Sequence, residues 1–317
     1  MNIVILDAKT LGNDIDLSAL DKLGKVVRYE STDPSQTYDR IRNATIVITN
    51  KVVISKLHMQ RCPLLKLICI AATGMNNVDL DAAAQIGIEV KNVAGYSTDS
   101  VIQHTFSMLF YLLGHSRYYD DYVKSGEWQK SPIFTNVSRP FFELKGKTWG
   151  IIGLGEIGEG VARLASAFGV NIVYYSTSGK NNNNDYNRVE LDTLLQDSDI
   201  ISIHAPLNDA TYNLIGLNEL KQMKNGVYLL NLGRGGIINE DDLAKIIDNK
   251  EIYVALDVLE KEPMTDPHPL MDVNHQERLY ITPHIAWTSI EARNRLVELV
   301  IENILSFLKE QKLPISN

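Results

Sequence analysis

The chain has 317 residues, enough for two domains that each bury a hydrophobic core. Its 31 basic and 39 acidic residues give a formal net charge of −8, which argues against nucleic acid or an anionic membrane as the main partner. A hydrophobic content of 44% beside 22% charged residues is ordinary for a soluble globular protein.

The N-terminal run 1–7 is predicted to be a short strand and not a signal peptide, because it has no basic region and no cleavage site. The most apolar helical pattern, 101–113, contains polar residues and is too short to span a bilayer. Cys62 and Cys69 have neither C-x-x-C nor metal-ligand spacing, and Cys69 is expected to be a buried thiol in a reducing compartment. We therefore expect a cytoplasmic protein without a metal site.

Short β-rich runs alternate with helical patterns from the start of the chain, which is typical of a parallel α/β sheet. The first set of predicted strands lies at 3–6, 26–29, 46–49, 65–70 and 89–92. This set lacks a phosphate-binding glycine motif. A second set, whose number suits a doubly wound dinucleotide-binding domain, lies at 149–152, 171–175, 200–204, 227–232, 253–257 and 279–282.

Two long helices are predicted to join the two sets of strands. One covers about 100–113, and the other follows Thr288, where Thr288-Ser289-Ile290-Glu291 fits a capping box. The second helix is broadly apolar, so we expect it to be buried and to return the chain to the first domain. The predicted domains are therefore 1–99 with 286–317, for the substrate, and 100–285, for NAD(P).

The most informative motif is the glycine sequence after the strand 149–152. Gly153, Gly155 and Gly158 form G-x-G-x-x-G, and a helical pattern follows at once. The first glycine is predicted to make a tight turn, the second to let backbone approach a pyrophosphate, and the third to let the helix pack closely on its strand. The N–H groups and dipole at the helix start favour an anion. The apolar residues that share one helix face are Ile157, Val161, Leu164 and Phe168.

Three loops in the second half follow predicted strands, at the edge where open α/β sheets bind ligands. In Gly233-Arg234-Gly235-Gly236, glycines flank an arginine whose guanidinium fork matches a carboxylate. His284 follows the last strand and precedes a helix, and histidine is the natural proton carrier near neutral pH. A carboxylate on its far ring nitrogen would fix its tautomer, and the local pattern leaves Glu260 and Glu262 as alternatives. These groups meet the demands of hydride transfer between nicotinamide and a hydroxy acid.

Together these motifs closely resemble the D-isomer-specific 2-hydroxyacid dehydrogenase family over essentially the whole chain. The matching segments, in chain order, are 72–79, 153–158, 233–236, 256–263 and 283–286. The resemblance implies an α/β fold of two Rossmann-like or flavodoxin-like parallel-sheet domains, with a discontinuous substrate domain, an active-site cleft between the domains, and a homodimer. It implies an NAD(P)-dependent oxidoreductase that acts on a small 2-oxo or 2-hydroxy acid.

The resemblance also implies roles for individual residues. Arg234 would bind the substrate carboxylate and carbonyl, His284 would act as general acid and base, and Glu262 would support that histidine. Asp257 would contact the nicotinamide amide. The other implied substrate contacts are Asn50, Thr73, Gly74, Met75 and Trp287. The other implied cofactor contacts are Gly153, Gly155, Glu156, Ile157, Gly158, His204, Ala205 and Pro206.

Within the family, the segments 48–51, 72–77 and 284–287 look like the glycerate dehydrogenase and hydroxypyruvate (glyoxylate) reductase branch. We therefore predict reduction of hydroxypyruvate or glyoxylate to D-glycerate or glycolate. Glutamate rather than glutamine beside the histidine argues against a formate dehydrogenase. Two alternatives stay open: a D-lactate dehydrogenase-like enzyme that reduces pyruvate, and a non-catalytic NAD(H)-sensing regulatory protein of the same fold.

The cofactor pattern departs from the usual one after the strand 171–175. NAD enzymes place Asp or Glu there to bond the ribose hydroxyls, whereas this chain has Ser176, Thr177 and, shortly after, Lys180. Hydroxyls and a lysine can donate hydrogen bonds to a 2′-phosphate that an acid would repel, although this segment contains no arginine. We predict that NADP(H) is accepted or preferred. The adjacent asparagines 181–184 are predicted to form a solvated surface turn.

Overall fold

The computed structural model describes residues 1–311. The chain divides into two compact units: Met1–Ser97 with the segment that begins at Thr288, and Thr98–Trp287. Each border differs by two residues from the predicted one, because a helix of the second unit begins at Thr98 and the loop after its last strand extends to Trp287. Residues 312–317, which the sequence assigns to the first domain, lie outside the described residues.

The first unit contains a five-stranded parallel sheet. Its strands are β1 Asn2–Ile5, β2 Lys25–Arg28, β3 Ile46–Thr49, β4 Leu67–Ile70 and β5 Glu89–Lys91. Their order across the sheet is β2-β1-β3-β4-β5, and every pair is parallel. The helices between them are α1 Thr37–Ile41, α2 Lys56–Gln60 and α3 Leu80–Ile86. All strands predicted for this part of the chain are therefore present.

The centre of this sheet is completely buried. Every residue of β3 and β4 is buried, as expected of parallel strands that are covered on both faces and are therefore apolar without alternation. Cys69 on β4 is 0% exposed, and burial raises the pKa of its thiol to about 12. The predicted burial of Cys69 is confirmed, and the reactive thiolate form is strongly disfavoured.

The second unit contains a seven-stranded parallel sheet. Its strands are β6 Thr148–Ile152, β7 Asn171–Tyr175, β8 Asn187–Arg188, β9 Ile200–Ile203, β10 Val227–Asn231, β11 Ile252–Leu256 and β12 Leu279–Ile281. Their order is β12-β11-β10-β9-β6-β7-β8, so the direction in which strands are added reverses between β6 and β9. Ligands bind outside the carboxyl ends of strands at such a reversal. The sequence did not predict β8, because both of its residues are polar and exposed.

Six helices belong to this unit. They are α4 Thr98–Leu113, α5 Ser116–Lys124, α6 Glu156–Ala167, α7 Leu191–Asp197, α8 Leu217–Gln222 and α9 Glu240–Asn249. The predicted apolar face of α6 is wrong in part: Leu164 and Phe168 are 43% and 47% exposed. The buried positions include Gly158 and Ala162, because small residues let the helix approach the sheet and leave no mark in a hydrophobic pattern.

The last helix of the described chain is α10, Ile290–Glu310, which packs on β4 of the first unit. Its N-cap is Ser289, whose side-chain oxygen accepts a hydrogen bond from Ala292 N at 3.2 Å. The predicted capping box with Thr288 as the cap is therefore wrong by one residue. The side chains that α10 buries include Leu296, Val300 and Ile304. Across residues 1–311, no helix is both long and apolar enough to cross a membrane.

Candidate active site

Three loops of the second unit leave the sheet side by side. They follow β10, β11 and β12, whose register pairs Asn231 with Leu256 and Leu256 with Ile281 at the carboxyl ends of the strands. Neighbouring parallel strands end at one edge of a sheet, so the loops that carry the three predicted catalytic residues start at the same level.

The loop after β12 presents a histidine that is paired with a glutamate. His284 Nδ1 lies 2.7 Å from Glu262 Oε2, and Glu262 Oε1 accepts a hydrogen bond from the backbone N–H of Leu259 at 3.1 Å. Glu260, the alternative that the local sequence left open, instead accepts a hydrogen bond from the Tyr212 hydroxyl at 3.0 Å. An ionised carboxylate only accepts hydrogen bonds, so the proton of this pair is on Nδ1. Nε2 of His284 is then the ring atom left for proton exchange.

A buried carboxylate holds the loop that carries His284. Asp257 is 1% exposed, and its oxygens accept hydrogen bonds from Ile285 N at 2.8 Å, Ala286 N at 2.9 Å and the Thr282 hydroxyl at 2.6 Å. His284 has a φ of 54°, in the left-handed region that residues other than glycine rarely adopt. The three hydrogen bonds therefore stabilise a costly backbone conformation. Contact between Asp257 and the nicotinamide amide stays a prediction.

The loop that carries Arg234 is held by Asn231, a residue for which the sequence predicted no role. Asn231 is buried, its Nδ2 donates to the Arg234 carbonyl at 2.8 Å, and its Oδ1 accepts from Gly233 N at 3.1 Å. An asparagine that ends a buried strand just before a turn commonly bonds the backbone of that turn, and this pattern could have identified it.

Gly235 determines how closely this loop approaches the next one. A Cβ at Gly235 would overlap the backbone of Leu259, so only glycine allows this approach. The Arg234 guanidinium donates from Nη1 to the Gly233 carbonyl at 2.8 Å. No carboxylate within residues 1–311 forms an ion pair with Arg234, so its other N–H groups are available to an anion.

The glycine motif forms the turn between β6 and α6. Gly153 has a φ of 91°, and a Cβ there would lie only 2.8 Å from Ala205 N, which follows β9. A Cβ at Gly158 would overlap the Gly153 carbonyl. Around Gly155, by contrast, a Cβ would meet nothing within 4 Å. Gly155 is the N-cap of α6 and has no side chain to bond the N–H groups of the first turn, which suits an anionic group.

His204 is a second indication that a polar ligand belongs beside this turn. Trp149 Nε1 donates a hydrogen bond to Ser202 Oγ at 2.9 Å, and His204 Nε2, at 3.0 Å, is the acceptor that the described residues offer to the Ser202 hydroxyl proton. The His204 proton is then on Nδ1, which is buried and has no partner in the described part of the chain. Burial lowers the pKa of His204 to about 3, so the ring is neutral near pH 7. This donor and the open space at Gly155 both fit a dinucleotide, whose phosphate and ribose oxygens accept hydrogen bonds.

The loop after β7 lies against the glycine turn. Ser176 is buried and its Oγ accepts from Asn181 N at 3.3 Å, whereas Thr177 is half-buried and Lys180 is exposed. Asn181 Nδ2 donates to the Leu154 carbonyl within the glycine motif. The prediction that the asparagine run is only a solvated turn is therefore wrong, because its first residue ties the loop to the glycine motif.

The other predicted residues of the second unit lie around these loops. Glu156 and Ile157 are the first residues of α6, Pro206 is exposed after β9, and Trp287 is half-buried at the end of the unit. These positions do not show what the residues bind, so their roles stay predictions.

The substrate contacts predicted in the first unit lie at the carboxyl ends of two paired strands. Asn50 follows β3 and the segment 73–75 follows β4. Asn50 is buried, and its N–H donates to both carboxylate oxygens of Asp7, at 2.9 and 3.0 Å. The Thr73 hydroxyl donates to the Val93 carbonyl at 3.1 Å. These bonds fix the two loops, and the roles of Asn50, Thr73, Gly74 and Met75 in substrate binding stay predictions.

We expect Gly155→Val to fold as the wild-type chain does, because a Cβ at this position meets nothing within 4 Å. Its branched side chain would occupy the space that the pyrophosphate needs, so coenzyme affinity should fall on the order of tenfold or more, the loss of about one hydrogen bond to a charged group. Thermal unfolding and fluorescence titration with reduced coenzyme measure the two properties. Gly158→Val is the contrasting variant, expected to lower the melting temperature. Unaltered affinity in folded Gly155→Val would remove the pyrophosphate from this turn.

The lowered pKa of His204 also predicts a pH dependence of stability. Its pKa is lowered to about 3 in the folded chain, whereas an unfolded histidine titrates near 6.5. Between these values the unfolded chain binds one more proton, so this contribution to stability is fully present above about pH 6.5 and is lost as the pH falls towards 3. In urea unfolding at pH 7.5 and pH 5, the wild type should lose more free energy of unfolding than His204→Asn. Equal losses would show that folding does not hold the His204 ring in its neutral form.

Comparison with known sequences gives matches over the whole chain. Residues 106–286 match the family model described as D-isomer specific 2-hydroxyacid dehydrogenase, NAD binding domain. The hydroxypyruvate reductase of Blautia hydrogenotrophica is 35% identical over 325 aligned residues, which cover 100% of this chain and 100% of that protein.

Solved structures show the same likeness. A D-lactate dehydrogenase from Aquifex aeolicus, complexed with NAD and lactic acid, is 26% identical, with a TM-score of 0.84 and coverage of 98% of this chain and 96% of that chain. An NADPH-dependent glyoxylate/hydroxypyruvate reductase from Sinorhizobium meliloti, in complex with NADP and malonate, is 25% identical, with a TM-score of 0.82 and coverage of 97% and 93%. The similarity thus extends over almost the entire chain.

Proposed function

Since the chain belongs to the family of D-isomer specific 2-hydroxyacid dehydrogenases, we propose that it interconverts a small 2-oxo acid and the D-2-hydroxy acid with NAD(P)(H) as coenzyme. The proposed substrates are hydroxypyruvate and glyoxylate, reduced to D-glycerate and glycolate. The observation that carries the proposal is the pairing of His284 with Glu262 at 2.7 Å, on loops that neighbour the loop of Arg234.

Arg234 is the proposed anchor of the substrate. Its guanidinium has no carboxylate partner in the described chain, and a planar fork of N–H donors matches a carboxylate with two parallel hydrogen bonds. The same cation polarises the neighbouring keto oxygen. Asn231 holds the loop, so the guanidinium is positioned before the substrate arrives.

His284 is the proposed proton donor in reduction and acceptor in oxidation. The protein must add one proton to the keto oxygen, since a bound reduced nicotinamide would supply only the hydride for the keto carbon. Glu262 holds the Nδ1 proton of His284 and stabilises the ring when both nitrogens are protonated, so Nε2 is the atom that gives up the mobile proton. Asp257 keeps the ring in place through the backbone of Ile285 and Ala286.

Steady-state assays test this function through the absorbance of the reduced coenzyme. The protein should oxidise NADPH or NADH with hydroxypyruvate or glyoxylate, with a kcat/KM above that for pyruvate. A higher kcat/KM for pyruvate would instead favour the alternative, a D-lactate dehydrogenase-like enzyme that reduces pyruvate. Coenzyme binding without turnover of any of the three acids would favour the NAD(H)-sensing regulatory protein.

A cytoplasmic homodimer is proposed with this function. Several large apolar side chains after α5 are exposed, which is unusual for the surface of a monomer. They are Trp128 at 48%, Ile133 at 57%, Phe134 at 88%, Val137 at 77% and Phe141 at 64%. Burial of these side chains against a second copy would stabilise a dimer. Sedimentation equilibrium separates a particle of 35.6 kDa from one of twice that mass.

A further inference from the structure

An arginine from outside the loop after β7 lies beside that loop. The segment 176–180 contains no arginine, but β8 pairs with β7 in a register that places Arg188 opposite Tyr174. Because the two strands are parallel, the chain between them must return along β7 before β8 begins. As a result, Arg188 meets the loop at the end of β7, where a dinucleotide-binding domain holds the adenosine ribose.

The contacts of Arg188 leave its charge uncompensated. Its Nη1 donates to the carbonyls of Gly179 and Asn181, at 3.1 and 3.4 Å, and to Asn182 Oδ1 at 3.1 Å. All three acceptors are neutral. Within residues 1–311 no carboxylate forms an ion pair with Arg188 or with Lys180, and Nε and Nη2 of Arg188 donate to no acceptor. One edge of the guanidinium thus holds the loop, and the other edge is available to a ligand.

The loop that Arg188 holds is part of the coenzyme site. Asn181, one of the residues that accept from Arg188, donates its side-chain N–H to the Leu154 carbonyl in the glycine turn. Gly153 N in the same turn donates to the Tyr175 carbonyl at the end of β7 at 3.0 Å. Arg188 is therefore connected to the glycine turn through a short chain of hydrogen bonds.

We propose that Arg188 determines the coenzyme preference of this protein by binding the 2′-phosphate of NADP(H), with the hydroxyls of Ser176 and Thr177 and the ammonium of Lys180 beside it. This inference rests on the proposed function. It adds to the proposed coenzyme site an arginine, the residue type that the segment 176–180 lacks. The uncompensated cation favours a phosphate dianion strongly and a neutral ribose hydroxyl little. NADP(H) is therefore the preferred coenzyme.

Two nucleotides that differ only in the 2′-phosphate isolate this interaction from catalysis. Isothermal titration calorimetry of the full chain with adenosine 2′,5′-bisphosphate and with adenosine 5′-monophosphate compares the wild type, Arg188→Gln and Arg188→Lys. Arg188→Gln should lower the affinity for the bisphosphate on the order of 10–10²-fold, because a charge-assisted hydrogen bond is lost. It should change the affinity for the monophosphate by no more than about twofold, because that nucleotide has no 2′-phosphate for the arginine to bind. Arg188→Lys keeps the charge and should retain more bisphosphate affinity than Arg188→Gln.

A matched control removes the same charge elsewhere on the same unit. Arg163→Gln, on the exposed side of α6, should leave both affinities unchanged. If Arg188→Gln lowers the affinities for both nucleotides equally, the arginine only stabilises the loop. If it lowers neither affinity, the arginine neither stabilises the loop nor binds the phosphate. Both results would overturn the proposal. Much tighter binding of NADH than NADPH by a wild type that turns over 2-oxo acids would overturn this inference and leave the proposed function standing. Failure to bind either coenzyme would instead overturn the proposed function itself.

Discussion

The His284→Ala variant is expected to lose on the order of 10²–10⁴ in kcat with hydroxypyruvate, because no group replaces the proton donor. Nothing in the glycine turn changes, so the affinity for reduced coenzyme should stay as in the wild type. The loss concerns proton transfer, which is slow when water must supply the proton at neutral pH. Single-turnover kinetics with coenzyme bound in advance measure this step directly.

His275→Ala is the matched control for this variant. His275 belongs to the same unit and also pairs with a glutamate, since its Nδ1 lies 3.1 Å from Glu277 Oε1. It precedes β12, whereas His284 follows it. The control should therefore retain the turnover of the wild type. Near-normal turnover of folded His284→Ala would remove His284 from the mechanism.

The Arg234→Lys variant is expected to keep the positive charge and still lose activity. A lysine ammonium cannot form two parallel hydrogen bonds to a carboxylate, so one charge-assisted bond of about 1.5–3 kcal/mol is lost in the transition state. The kcat/KM for the 2-oxo acid should fall on the order of 10–10²-fold, through both a higher KM and a lower kcat. The dissociation constants of the coenzymes should not change.

Arg117→Lys controls for the substitution itself. The Arg117 side chain is 80% exposed on α5, where it faces Asp121, so its replacement should leave every kinetic constant unchanged. Wild-type kcat/KM in Arg234→Lys would show that only the charge at this position matters. A change confined to coenzyme affinity would place Arg234 at the dinucleotide and not at the substrate.

Much of the fold could be predicted because parallel α/β sheets carry local marks in the sequence. Central strands such as β3 and β4 are continuous apolar runs, and a glycine-rich turn marks the start of α6. The eleven predicted strands are all present, while β8 was missed because it has only two polar residues and is defined by its pairing with β7. The apolar face of α6 was misplaced because glycine and alanine, which make the contact with the sheet, are neutral in a hydrophobic pattern.

The candidate site could also be predicted only in part from the sequence. Arg234 and His284 could be selected from the chemistry of their residue types and their positions after strands. Local pattern could not choose between Glu260 and Glu262, because both lie on one short loop and only the folded backbone directs one of them to His284. Asn231 could have been found from its position before a turn. Arg188 could not, since only the pairing of two strands brings it to the loop after β7.

Analysis of the reaction product tests the central claim most directly. The wild-type protein is incubated with hydroxypyruvate and an excess of both NADPH and NADH, and the glycerate that forms is separated by chiral chromatography. A D-2-hydroxyacid dehydrogenase built on Arg234, Glu262 and His284 produces D-glycerate alone, in an amount equal to the coenzyme oxidised. L-glycerate as the main product, or no glycerate from a protein that binds the coenzyme, would contradict the account.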